Sequence, residues 1–139
     1  MINELTYELS LHVLIILNST GPASSNRIAS YDFIATHGKI FKFSDCDLIE
    51  SGYIKSQAYL GRMTLFDEAI LYQIAKGNIC PTFSQDGLEY ALTKPGEDYI
   101  GKLDDMFCDN LQEMCNLISE SYAKYSDSEL SDLIERTIA

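Results

Sequence analysis

Residues 65–103 read LFDEAILYQIAKGNICPTFSQDGLEYALTKPGEDYIGKL. Leu65, Ala69, Tyr72 and the Ile74-Ala75 pair recur at helical spacing and Gly77-Asn78 is a helix-stop signal, which predicts a helix over about 65–76. Beyond Ile79 and Phe83 comes Gln85-Asp86-Gly87, after which Leu88, Tyr90 and Leu92 alternate with Glu89, Ala91 and Thr93. An Asp-Gly pair between two alternating runs marks a hairpin, because its turn needs positive φ values; the wing is expected over about 79–93. Thr93 can cap the next helix, with Pro95 in its first turn, where the missing N–H has no partner anyway. Gly96 stands at the third helical position, so the reciprocal Glu of a capping box is displaced to Glu97. Helix, two-stranded wing, helix is the order of a winged-helix core.

Toward the N-terminus, Leu5, Leu9, Val13, Ile16 and Leu17 repeat at helical intervals, with Leu11, Leu14 and Ile15 on the remaining faces. This predicts a helix over about 3–18 that is apolar nearly all round, either central to the core or covered by a partner. His12 sits inside it and reads as a core-edge histidine with one satisfied nitrogen, not a catalytic one. Gly21-Pro22 stops the helix, and Ser24 or Ser25 can cap a second one over about 24–37, ending at Gly38. Asp32 interrupts the apolar run Tyr31-Asp32-Phe33-Ile34, so it is either on the wet face or held by a specific donor. His37, five residues on, is too far round the helix to pair with it directly, and the two make no acid–base dyad.

Residues 39–64 have the least pattern. Lys39, Lys42, Lys55 and Arg62 alternate with Phe41, Phe43, Tyr53 and Tyr59, while Asp45, Asp47 and Glu50 nearly cancel the bases. Basic residues with aromatics can hold nucleic acid, but the balanced charge favours a protein-docking connector. The expected partner-binding residues are Tyr31, Asp32, Phe41, Phe43, Tyr53 and Tyr59, since aromatics in partner-ordered segments anchor interfaces. The competing reading tucks Phe41 and Phe43 into the domain's own core.

Beyond the wing, Ile100, Leu103, Phe107, Leu111, Met114, Ile118 and Tyr122 step by three or four, marking one helix of about 30 residues. It either packs against a second chain or folds back across the first helix. Ser126-Asp127-Ser128-Glu129 is a capping box for a short amphipathic helix through Leu130, Leu133, Ile134 and Ile138. The expected organisation is thus a mainly α fold with a small β-hairpin. Residues 1–95 form the winged-helix core, and 96–139 add the long helix and the short capped helix to the same domain.

At 139 residues with 46% hydrophobic residues, the chain can bury a core without staples. Cys46, Cys80, Cys108 and Cys115 form no C-x-x-C pair and only two histidines accompany them, which argues against a zinc site or a disulfide framework. Cys108 and Cys115, seven apart, share a helix face and read as small core residues. No leader segment is evident, and the run Leu9–Leu17 is far below the ~18 residues of a membrane span, so a cytoplasmic protein is expected.

The net charge is −11, and residues 96–139 hold eleven acids against three bases. Such a surface repels phosphate backbones, since non-specific nucleic-acid affinity comes from cations displacing counterions. The helix in the recognition position offers Asp67, Glu68, Gln73 and one base, Lys76, and the wing turn has no cation. Base reading needs Arg, Lys, Asn or Gln with cations for the flanking phosphates. Geometry permits DNA binding; chemistry argues against it. No P-loop, dinucleotide-binding glycine pattern, nucleophile elbow or histidine cluster is present, so no catalytic residue, cofactor or metal ligand is assigned.

Four stretches carry a resemblance: Arg27 to Gly38 (RIASYDFIATHG), Asp67 to Gly77 (DEAILYQIAKG), Asp86 to Thr93 (DGLEYALT) and Tyr125 to Leu130 (YSDSEL). Together they resemble the small middle component of ABC-three-component systems, related to the accessory subunit of Lamassu-type anti-phage defence. Leu117 stands where that family tends to have an aromatic, and the chain has no Trp. The resemblance implies a non-enzymatic subunit that docks on an SMC-like ABC ATPase and on an effector, commonly a nuclease. The alternative is a free-standing winged-helix transcription regulator, dimerised through its long helix.

Overall fold

The computed structural model describes residues 3–48 and 56–138, with side chains over 3–48 and 64–138. The elements run α1 (Glu4–Thr20), α2 (Ser25–Thr36), α3 (Ser56–Ala75), β1 (Ile79–Ser84), β2 (Gly87–Leu92), α4 (Lys94–Gly101), α5 (Met106–Tyr122) and α6 (Asp127–Ile138). The described residues therefore form a mainly helical fold with one small antiparallel sheet.

Helix α1 is central. The Asn3 side chain accepts from the Thr6 amide at 2.8 Å, and Glu4 complements the positive N-terminal end. Gly21, at φ +73°, ends the helix while its N–H caps the Leu17 carbonyl. Between them Leu9, Val13, Leu14, Ile15, Ile16 and Leu17 are all buried, because α2, α3 and α5 pack around the helix. Its all-round apolar character is thus accounted for within the subunit.

Helix α3 begins at Ser56, nine residues before the expected start at Leu65. Apolar periodicity reports burial rather than helicity, and Ser56 to Thr64 carries no clear stripe and includes Gly61. The stretch has no proline to stop propagation from the well-patterned end.

The hairpin pairs Ile79 with Leu92 through to Ser84 with Gly87. Its turn differs in detail from the expectation. Gly87 takes the positive φ, +107°, while Asp86 stays on the ordinary side, so Gln85-Asp86 form the turn and glycine closes it. On the other edge of β2, Ala23 and Tyr90 exchange two backbone bonds of 3.0 and 2.8 Å, an isolated bridge beside the two-stranded sheet.

Thr93 caps α4, accepting from the Gly96 amide at 3.1 Å. A Cβ on Gly96 would collide with the Asn78 backbone carbonyl. The glycine that displaces the capping-box Glu is there because α4 starts against the end of α3.

The predicted 30-residue helix is two helices. Helix α4 stops at Gly101, and α5 starts afresh with Asp105 accepting from the Phe107 amide at 2.9 Å. The apolar spacing runs through the break because Leu103, in the link, still packs on the core. Helix α5 lies against α1 and α2, folding back across the first helix. The capping box of α6 is as read: Ser126 N–H donates to Glu129 Oε1 at 2.9 Å, and Glu129 N–H to Ser126 Oγ at 3.1 Å. Leu130 and Ile134 then bury against α2.

Candidate interaction surface

The expected partner-binding residues fall into three groups. Tyr31, Asp32 and Phe41 lie inside the subunit's own core. The Tyr31 ring sits beneath the Arg27 guanidinium, 5.5 Å from its centroid, and its hydroxyl accepts from Ser119 Oγ at 3.3 Å. Phe41 meets Phe33 edge-on at 6.2 Å. Phe43 is half-buried, edge-on to Tyr122 at 5.7 Å, and Tyr122 in turn meets Tyr125 at 4.9 Å. Tyr53 lies outside the described residues, and the side chain of Tyr59 likewise. Among the described residues, Phe43 thus joins Tyr122 and Tyr125 in a partly exposed aromatic row.

Asp32 is held by a specific donor, and that donor is His12. Nδ1 of the imidazole lies 2.7 Å from Oδ1 of the carboxylate, joining α1 to α2, while the ring stacks on Phe107 at 5.2 Å. His37 does not share in this pair; its Nδ1 faces the Phe33 carbonyl at 2.9 Å. Cys115 is fully buried beside the pair, and burial together with the Asp32 charge raises its thiol above the usual range. A thiol held protonated is a poor nucleophile, and the His12–Asp32 contact joins two helices. Each residue was legible as a polar interruption of an apolar helix; their partnership is tertiary and leaves no local signal.

Sequence reasoning passed over Arg27. Its guanidinium donates to the carbonyls of Tyr122 at 3.1 Å, Ala123 at 3.0 Å and Tyr125 at 2.7 Å, and pairs with Asp127 at 3.3 Å. Ser24, the α2 cap, also donates to Asp127. One cation thus satisfies the orphan carbonyls at the end of α5 and fixes the start of α6. A cleft of about 650 Å³ opens beside it, lined by Ser19, Thr20, Ser119 and Ser128 hydroxyls and by the carboxylates of Asp86, Glu89 and Asp127.

Two further surface features lie elsewhere. Tyr7, Tyr72 and Tyr99 border a cleft of about 330 Å³ whose lining includes Gln73 and Asn78, both buried. Lys76 stands over the Tyr72 ring at 5.5 Å. At the hairpin tip, Phe83 is 82% and Leu88 44% exposed. Both apolar residues flank the turn in sequence, which was the available signal.

Among the described residues no group of three or more His, Cys, Asp or Glu is placed to hold a metal ion. Nor is any described helix long and apolar enough to cross a membrane. The exposed side chains of α3 include Asp67, Glu68 and Leu71, with Lys76 just past its end, and Gln73 is buried, donating to Ser10 Oγ at 3.0 Å. A family model described as ABC-three component (ABC-3C) system Middle Component 2 matches residues 2–139. No curated protein and no solved structure matches the chain.

Proposed function

Since the chain belongs to the middle component 2 family of ABC-three component systems, we propose that it is a non-enzymatic accessory subunit of a defence complex. It docks on an SMC-like ABC ATPase and on an effector such as a nuclease, in the manner of the Lamassu accessory subunit. The single observation that carries this is the family match over nearly the whole chain. The fold is read as a winged helix: α1 to α3 precede the hairpin, and the isolated Ala23–Tyr90 bridge lies beside the two-stranded wing.

Direct DNA binding by the subunit alone is weak in this reading. Gln73, the one base-reading side chain foreseen on α3, is turned inward to Ser10 and Asn78. Among the described residues, what remains outside is mostly acidic or apolar, with Lys76, just past the helix, over a tyrosine ring. No Lys or Arg stands among the described side chains of α3, residues 64–75, to meet the phosphates.

The connector and the start of α3 contribute the first docking surface, through Phe43, Tyr53 and Tyr59. The burial of Tyr31, Asp32 and Phe41 fits packing within the subunit rather than direct contact with a partner.

Co-expression with the other two components encoded in its system, followed by affinity capture and sedimentation, tests the reading. A stable complex with at least one of them is expected. A monomer that binds neither component overturns it. The regulator alternative predicts instead a homodimer with steeply salt-dependent affinity for its own promoter. The packing of α5 onto α1 and α2 removes the long free helix that motivated such a dimer.

A further inference from the structure

The hairpin carries its apolar stripe past the edge of the core. Tyr90 gives both backbone groups to Ala23, so within the hairpin the Tyr90–Pro81 pair is one that exchanges no hydrogen bonds. By alternation Ile79–Leu92 and Phe83–Leu88 are pairs of the same kind, with side chains on the same face and closest together. Ile79 is buried and Tyr90 and Leu92 pack on the core, but among the described residues Phe83 and Leu88 take no part in that core. A phenylalanine 82% exposed beside a leucine 44% exposed contributes little to folding and costs solubility.

We infer that this tip, through Phe83 and Leu88, seats in an apolar socket rimmed by Lys or Arg on another protein component of the system. The inference deepens the subunit reading and rests on it.

Backbone and charge together select that occupant. Strand β1 is the outer strand, because the free side of β2 meets Ala23. Pro81 lies on it without an N–H to offer, which discourages an added strand and leaves the side chains to make the contact. Residues 79–92 include Asp86 and Glu89 and no Lys or Arg. Of the two cations lining the neighbouring cleft, Arg27 is committed to the α5 carbonyls and Asp127, leaving Lys124. An apolar knob beside two carboxylates is complementary to a basic rim. A second copy would bring another chain of charge −11 with the same acidic tip, and an anionic lipid surface would be repelled likewise.

The test is binding of each purified co-encoded component to the full chain and to the Phe83→Ser, Leu88→Ser and paired Asp86→Asn/Glu89→Gln variants. Leu71→Ser, at a position 65% exposed on α3, is the control. The two serine variants should keep the parent melting temperature and weaken the complex about tenfold or more, while the control binds as the parent does. The neutralised pair should flatten the salt dependence of binding. If the parent chain binds neither component, the subunit reading itself falls. If it binds and the serine variants bind equally well, only the hairpin assignment falls. A lowered melting temperature would mean that Phe83 packs internally, overturning the assignment. So would equal weakening in the control, salt dependence unaltered by the neutralised pair, or a homodimer dissolved by Phe83→Ser.

Discussion

The imidazole of His12 lies 2.7 Å from the Asp32 carboxylate, with Asp32 fully buried between α1 and α2. A polar contact in such a place is favourable only while both partners are present. Removing one leaves the other desolvated and under-satisfied, which for a buried polar group costs about 1–3 kcal/mol and more where it is charged. His12→Ala and Asp32→Ala should therefore each lower the urea midpoint strongly. Their double-mutant cycle should give a coupling of about 1–3 kcal/mol. Independent, additive effects would show that the contact holds nothing together.

Arg27 invites a sharper comparison. Its fork reaches three carbonyls and one carboxylate at once, which a single ammonium cannot do. Arg27→Lys should lose most of what Arg27→Ala loses, about 2 kcal/mol by chemical denaturation, since hydrogen bonds from a charged donor are the stronger kind. Hydrogen exchange should rise first at the start of α6 and the end of α5. A lysine variant as stable as the parent would assign the site to charge alone.

The two glycines of α4 should respond in opposite directions. Gly96→Ala drives a methyl into the Asn78 carbonyl, and overpacking of this kind costs about 1–3 kcal/mol. Gly101 has open space around its α-carbon and no positive φ, so Gly101→Ala should be neutral or gain up to about 0.5–1 kcal/mol from helix propensity. Thermal unfolding of both variants checks the pair. Equal effects would mean that the close approach of α4 to Asn78 is not a constraint.

Local signals in the sequence carried most of the elements. Gly77-Asn78, Thr93-Lys94-Pro95 and Ser126 to Glu129 punctuate where the structure changes, because caps and stops act within four residues. The same locality explains the misreadings. Leu103 keeps the apolar spacing intact across the α4–α5 break because it faces the core from the link, so periodicity alone cannot see that the helix has ended. The sequence left Asp32 open between the wet face and a specific donor. Its interior position, like that of Tyr31, follows from α1, α3, α5 and α6 closing over α2, a tertiary fact absent from the segment itself. Arg27 was invisible for a different reason: its targets are backbone carbonyls, which have no sequence signature.

The buried thiols make the last prediction, a pH dependence at the alkaline end. Burial, followed by the charge of Asp105, raises the Cys108 thiol from the ordinary 9.0 to about 11, and Cys115 is raised by burial and by Asp32. In the unfolded chain both return to the ordinary value and ionise sooner. Between pH 9 and about 11 the unfolded state therefore binds fewer protons than the folded one, so stability falls as pH rises. The protonated thiols' contribution is fully present below pH 9. Urea denaturation from pH 8 to 10.5 should show this decline, and Cys108→Ser should make it shallower by removing one titrating group. Alkylation of the folded protein at pH 8 should accordingly modify the exposed Cys46 well before Cys108 or Cys115. A decline unchanged by Cys108→Ser would place its source at other groups, Tyr99 first among them, since a hydrogen bond to Tyr7 and burial raise its phenol as well.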